Sequence, residues 1–195
     1  MSLPSESFNL PDADIQFYES FFSTEESNLY FQELLQNIPW QQDNIKVFGK
    51  TYPQPRLTAL YGNNQLSYSY SGITMEPLPF TETLEEIKSK VELAVKANFT
   101  TCLLNLYRDG QDSNGWHADN EKELGKNPVI ASVSFGATRK FKLKHRTLNI
   151  KKDIELTHGS LLLMQGSTQH HWLHSIPKTK KQKTERINLT FRVIV

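Results

Sequence analysis

One cysteine, Cys102, is the whole thiol content of this 195-residue chain. That excludes an internal disulfide and a zinc site built on paired thiolates, and it suits a reducing, intracellular compartment. No apolar run approaches the ~18 residues that a membrane-spanning helix needs. The opening residues, MSLPSESFNL, lack both a basic start and a greasy stretch, so no secretory leader is expected. Nine glycines and nine prolines are too few for a collagenous or low-complexity chain. Net charge is nearly absent, at +1, yet it is unevenly spread: residues 139–195 hold 13 Lys/Arg against 3 Asp/Glu, and the remainder is acidic.

What is present reads as globular: 37% hydrophobic residues, with 11 Phe, 7 Tyr and 3 Trp. A chain of this size buries about 70% of its unfolded surface, enough for a single domain without staples. The first residues, 1–14, are polar and aperiodic and read as a flexible leader; the domain is expected over 15–195. Ser23 and Glu26 have the spacing of a capping box, and Leu29, Tyr30, Leu34 and Leu35 recur at helical intervals, predicting a helix over 24–37. Thr83 and Glu86 open a second helix whose apolar stripe, Leu84, Ile87, Val91 and Val95, ends near Asn98. Between about 40 and 72, short β-type runs broken by turn residues predict hairpins. After Asn98 the period becomes two, through TCLLNLYR, VIASVSFG, RKFKLKH, DIELTHG, SLLLMQ, QHHWLHS and RINLTFRVIV. Short strands with no helix between them predict a mainly β fold with flanking helices, an α+β arrangement around an antiparallel jelly roll or sandwich rather than a parallel α/β sheet.

Four fragments carry the chemistry. His117-Ala118-Asp119 follows the loop DGQDSNG, and residues two apart on a strand face the same way, so imidazole and carboxylate can converge on one ion. A third ligand is required, and His170 and His174 both qualify if 168–174 is a strand, where they share a face with Trp172. Two histidines and a carboxylate with open positions suit non-haem Fe(II) oxygenases; zinc could use the same set. On the last strand Arg186, Asn188, Thr190 and Arg192 alternate with Ile187, Leu189 and Phe191. Two guanidiniums on one face are costly to bury alone but suit a small dicarboxylate. Asn105 and Tyr107 make a further polar pair with the same parity. A zinc hydrolase is disfavoured, because no general-base carboxylate stands beside the ligands and the two arginines would have no role.

In order, spacing and residue type, Asn105-Leu106-Tyr107, His117-Ala118-Asp119, His174-Ser175-Ile176-Pro177 and RINLTFR at 186–192 together resemble the AlkB family of Fe(II)- and 2-oxoglutarate-dependent nucleic-acid demethylases. PVIASVSFGATRKF, HGSLLLM and VFGK further resemble the branch that repairs duplex DNA in animal nuclei, and Asn120 stands where that branch has an acidic residue. The resemblance covers about residues 15–195 and implies a double-stranded β-helix, or jelly-roll, core with N-terminal helices and nucleotide-recognition hairpins. It implies His117, Asp119 and His174 as the iron ligands, with His170 and His171 structural. It assigns Arg186 to the distal carboxylate of 2-oxoglutarate, Arg192 to its chelating end, and Asn105, Tyr107, Asn188 and Thr190 to the lining.

The implied reaction consumes O2 and 2-oxoglutarate, yields succinate and CO2, and releases the N-methyl group of bases such as 1-methyladenine and 3-methylcytosine as formaldehyde. A base in a duplex must be flipped out to react. Val47, Phe48 and Gly49 are the candidate wedge for the vacated stack. Tyr68 and Tyr70 are candidates to sandwich the flipped base, Glu121 to face its exocyclic edge, and Arg56 and Arg139 to contact the DNA. Lys178, Lys180, Lys181 and Lys183, together with Lys140, Lys142 and Lys144, read as phosphate contacts. The expected partner is alkylated double-stranded DNA, met by a monomer with no membrane association, in the cytoplasm of a bacterium or the nucleus of a eukaryote. Two other readings stay open: the same iron chemistry on RNA or protein, and a catalytically silent nucleic-acid-binding jelly roll.

Overall fold

The computed structural model describes residues 4–47, 49–63, 68–70 and 73–194, with backbone alone at 46–47, 68–70 and 73–74. In chain order the elements are β1 (Glu6–Ser7), β2 (Asp14–Tyr18), α1 (Thr24–Asn37), β3 (Asn44–Val47), β4 (Lys50–Pro53), β5 (Leu57–Gly62), β6 (Tyr68–Tyr70), β7 (Ile73–Met75), α2 (Glu82–Val95), β8 (Thr101–Tyr107) and β9 (Asn114–His117). There follow β10 (Ile130–Gly136), β11 (Arg139–His145), β12 (Lys151–Leu156), β13 (Ser160–Gln165), the short α3 (Thr168–His171), β14 (Trp172–Ile176) and β15 (Arg186–Arg192). A major sheet of seven strands runs β1-β2-β13-β10-β15-β8-β5, and a minor sheet of four runs β12-β11-β14-β9. Two separate hairpins, β3-β4 and β6-β7, stand outside both sheets.

Side-chain alternation sorts these strands into layers. Cys102, Leu104 and Leu106 of β8, Val133 and Phe135 of β10, and Ile187, Leu189 and Phe191 of β15 pack with Leu34 of α1 and Ile87 and Val91 of α2. The opposite face of the same strands meets the minor sheet: Leu103, Ile130, Leu162 and Met164 pack with Phe141, Leu143, Leu156 and Trp172. The order is helices, major sheet, minor sheet, so β8 and β15 are buried on both faces along their whole length. Every polar side chain on their second face therefore needs a partner inside the protein.

The first helix has the predicted cap: Glu26 N–H donates to Ser23 Oγ at 3.1 Å and Ser23 N–H to Glu26 Oε2 at 2.9 Å. The second differs. Its N-cap is Thr81, two residues before Thr83, whose Oγ1 accepts from Leu84 N–H at 3.3 Å, so the helix starts at Glu82 and ends at Val95, followed by Lys96 in the left-handed region. The two helices are tied by Lys90, which donates to Glu26, Tyr30 and Glu86.

Two expectations are corrected. Part of the leader is held: β1 pairs with β2, Phe8 is buried, and Trp172 Nε1–H donates to the Pro11 carbonyl at 2.9 Å. The run 168–174 is not one strand. Thr168 Oγ1 donates to the Gln165 carbonyl at 2.6 Å and accepts from Asp14 N–H at 2.9 Å, which starts a helical turn, and the strand begins only at Trp172. His170 is thereby removed from the face of His174 and contacts Asn127 instead, at 2.9 Å.

Phe135 lies between α1 and the major sheet, in ring contact with Tyr30 of α1 and with Phe22 just before it. Phe135→Ala is expected to cost about 3–5 kcal/mol of folding free energy, and Ser23→Ala about 1 kcal/mol through the lost cap. Urea denaturation followed by circular dichroism reads both, and equal losses for the two variants would contradict this division of labour.

Candidate functional site

The space between the two sheets closes at one end and opens at the other into a cavity of about 270 Å³. Its lining includes His117, Asp119 and His174, together with Arg56, Asn105, Tyr107, Glu121, Arg186, Asn188, Thr190 and Arg192. His117, at the end of β9, lies directly opposite His174 on β14, and the two rings are 4.2 Å apart. With Asp119 from the bend beyond β9 they offer three ligand atoms within 4.8 Å of one another. Asp119 and His174 are buried; His117 is the wetter of the three.

Each candidate ligand is held by a second contact. His117 Nδ1 lies 2.8 Å from the Gly115 carbonyl, which can only accept, so Nδ1 carries the proton and Nε2 presents its lone pair. Asn114 Nδ2 lies 3.3 Å from that lone pair, as a placeholder donor. His174 stacks on Phe141 with ring centroids 5.2 Å apart. Burial, helped by neighbouring His117, pushes the His174 imidazole down to about 3, so it is neutral and able to donate a lone pair. Burial alone would push the Asp119 carboxyl up. The Arg192 guanidinium, 2.9 Å from Oδ2, and the two histidines reverse this and hold it well below the usual carboxylate range. Asp119 N–H donates to Gln169 Oε1, which fixes the backbone behind the carboxylate.

Asp12, His145 and His171 also cluster within 4.8 Å. Here His145 Nδ1 accepts the N–H groups of Leu148 and Thr147 at 3.0 and 3.3 Å. Its Nε2 must then carry the proton that faces Asp12 Oδ2 at 3.3 Å, and a protonated nitrogen cannot ligate a metal.

The second half of the site is cationic. Arg186 is 1% exposed. Its Nη2 donates to Ser134 Oγ at 2.9 Å, and its Nε and Nη1 are buried without a hydrogen-bond partner among the described residues. Burial pulls its guanidinium down to about 10, opposed by Tyr107, whose ring centroid is 5.1 Å away. A buried cation with two idle donors facing a cavity fits a carboxylate, and no apolar ligand would compensate it. Asn188 donates to Ser132 Oγ and the Val133 carbonyl, and Thr190 donates to Asn188 Oδ1, so the floor of the cavity is ordered before any ligand enters. Arg56 Nε donates to Asn105 Oδ1 at 2.7 Å. This arrangement can hold a divalent metal by two nitrogens and one oxygen and a small dicarboxylate beside it.

The remaining candidates fall into three groups. Glu121 reaches the cavity, and its buried Oε2 has no hydrogen-bond partner. Arg139 does not line the cavity: it is buried and donates to the carbonyls of Asp109, Asp112 and Pro177. The expectation of DNA contact there is corrected, since its guanidinium is spent pinning two loops. Lys140 is likewise paired, with Asp153 and Glu155. Val47 pairs with Lys50 by backbone, and Gly49 has φ of 77°; Phe48 and the side chains of Val47, Tyr68 and Tyr70 lie outside the described residues. Sequence reasoning missed Ser132 and Ser134, which alternate with Val133 and Phe135 in VIASVSFG and were legible by parity, and it missed Asn114 and Trp116.

The 2OG-Fe(II) oxygenase superfamily model matches residues 14–192. The chain is 42% identical over 187 residues to "Alpha-ketoglutarate-dependent dioxygenase alkB homolog 3" of Mus musculus, covering 91% of this chain and 65% of that one. It is 39% identical over 189 residues to "DNA oxidative demethylase ALKBH2" of Homo sapiens, covering 91% and 72%. The chain thus spans just under two thirds of the length of the alkB homolog 3 proteins it matches. The solved structure of OsALKBH1 superposes with a TM-score of 0.66 over 96% of this chain and all of that one at 16% identity, and so shares the fold. No helix among the described residues is long and apolar enough to cross a membrane.

The two halves of the site are separable. Arg186→Gln is expected to weaken binding of a five-carbon dicarboxylate by at least about 2 kcal/mol, roughly 30-fold, with divalent-metal affinity little changed. His174→Ala is expected to abolish tight metal binding. Anaerobic titration calorimetry with Fe(II), then with the dicarboxylate, reads each, and loss of both ligands in either variant alone would show that the halves are not independent.

Proposed function

The chain belongs to the 2OG-Fe(II) oxygenase superfamily, and we propose that it is an Fe(II)- and 2-oxoglutarate-dependent dioxygenase that removes N-alkyl groups from DNA bases. One observation carries this reading: three ligand atoms converge beside a buried guanidinium that has two nitrogens without partners. His117, Asp119 and His174 would hold the iron. When bound, the iron supplies the oxidising chemistry, in which O2 and 2-oxoglutarate give succinate and CO2 while an N-methyl group is hydroxylated and lost as formaldehyde.

The protein's contribution is placement. Arg186 grips the distal carboxylate of 2-oxoglutarate, with Asn105, Tyr107, Asn188 and Thr190 as the walls that fix its orientation. Arg192 keeps Asp119 ionised and aimed, and stands at the chelating end of the diacid. Leu103, Phe141, Leu156 and Met164 line the cavity as apolar walls that keep water from the reacting atoms. Glu121, at the mouth, offers an acceptor oxygen for the exocyclic amine of an adenine or cytosine, and a cationic 1-methyladenine or 3-methylcytosine also suits a carboxylate. These lesions unpair easily, which lowers the few kcal/mol that flipping costs. Val47, Phe48 and Gly49, where β3 gives way to β4, are proposed as the wedge, and Tyr68 and Tyr70 are proposed to hold the flipped base. The relative named a DNA oxidative demethylase supports DNA as the polymer.

Incubation of the iron-loaded protein and 2-oxoglutarate with DNA carrying 1-methyladenine should release succinate and formaldehyde in equal amounts, and Asp119→Ala should release neither. Phe48→Ala should lower repair of duplex DNA severalfold more than repair of a single strand. Tight iron and 2-oxoglutarate binding with no formaldehyde from any alkylated oligonucleotide would refute the dealkylase reading and leave only the fold.

A further inference from the structure

β9 is the outer edge of the minor sheet, and its pairing with β14 is irregular. His117 lies opposite His174 and Asn114 opposite Ile176, so two residues, Gly115 and Trp116, stand against the single Ser175. Such a bulge resets the alternation of side chains. Asn114 and His117, three apart, meet on the cavity side and contact each other. Trp116 emerges at the rim, 44% exposed, with the Lys144 ammonium 4.4 Å from its ring centroid.

Along β11 the outward lysines face an acid across the ladder except at its end. Lys140 lies opposite Glu155 and Lys142 opposite Asp153, whereas Lys144 lies opposite Lys151. Like charges directly across a ladder are unfavourable, and among the described residues no carboxylate forms an ion pair with Lys144 or Lys151. The Lys144 ammonium beside an exposed indole, with Lys151 its neighbour across the ladder, has the chemistry that answers a nucleic-acid strand: phosphates neutralise the cations and a base covers the ring.

We propose that Trp116, Lys144 and Lys151 form a docking corner for an unpaired nucleotide of the substrate strand, at the rim of the cavity next to His117. The base stacks on the indole and its flanking phosphates approach the two ammoniums. This rests on the nucleic-acid reading above and adds a preference to it. A base in a duplex already has both faces covered by its neighbours, so the corner serves single strands.

Fluorescence anisotropy of the full chain with a labelled single-stranded oligonucleotide and its duplex tests the corner without turnover. Trp116→Ala should weaken single-strand binding about tenfold or more while duplex binding changes less, and Trp116→Phe should keep most of it. Lys151→Ala, an exposed change remote from the cavity, should reduce the slope of log affinity against log salt by about one while leaving substrate-free conversion of 2-oxoglutarate intact. Single-strand affinity unchanged in both Trp116→Ala and Lys151→Ala, or equal losses for both polymer forms, would overturn the corner while leaving the dealkylase reading standing. A wild-type chain that binds neither oligonucleotide would overturn both.

Discussion

The 2.9 Å contact between Arg192 and Asp119 joins the two sheets at the point where the chemistry must happen, and most of the site is organised by it. Both partners are buried, so each would be costly without the other; removing one partner of such a pair costs about 3–5 kcal/mol. The guanidinium comes from the major sheet, and the carboxylate from the bend after an edge strand of the minor sheet. Their pairing therefore fixes the separation of the layers at one end of the sandwich, and with it the width of the cavity. It also keeps Asp119 ionised despite burial, which is the condition for a carboxylate to act as a ligand rather than as an acid.

That pair explains why Arg186 differs from Arg192 although both lie on the same face of β15. Arg192 has its anion within the protein. Arg186, at the other end of the strand, meets Ser134 Oγ and Tyr107, and among the described residues no carboxylate pairs with it. A fold that buries a guanidinium without a counterion is paying for it in stability, and the compensation arrives with a ligand that carries its own negative charge. The strand is thus graded, closed at the metal end and receptive at the other. A diacid lying along it would be read at both of its ends.

The layers were legible because alternation survives burial. RINLTFR separates into an apolar set that meets the helices and a polar set that faces the cavity, and TCLLNLYR separates in the same register, with Arg186 opposite Tyr107 and Asn188 opposite Asn105. The capping box at Ser23 and Glu26 was equally plain. What the sequence hid were tertiary overrides. QHHWLHS alternates well enough to suggest one strand, but Thr168 is claimed by Asp14, a residue 154 positions away, and the resulting helical turn decides which histidine reaches the site. Arg139 sits in a run of cations that reads as surface, yet three carbonyls from two distant loops draw it inward.

The bulge in β9 shows most clearly why spacing alone underdetermines a site. Strict alternation would put Asn114 and Trp116 on one face and Gly115 and His117 on the other, separating the asparagine from the histidine whose lone pair it faces. One additional residue against Ser175 reverses that assignment, and a single irregularity then has two consequences. Inside, His117 is steadied by Asn114 and the Gly115 carbonyl, so its Nε2 is presented in one tautomer. Outside, the indole is displaced toward Lys144, where the ladder has run out of acids. The same distortion that orients His117 thus brings an exposed indole to the rim of the cavity.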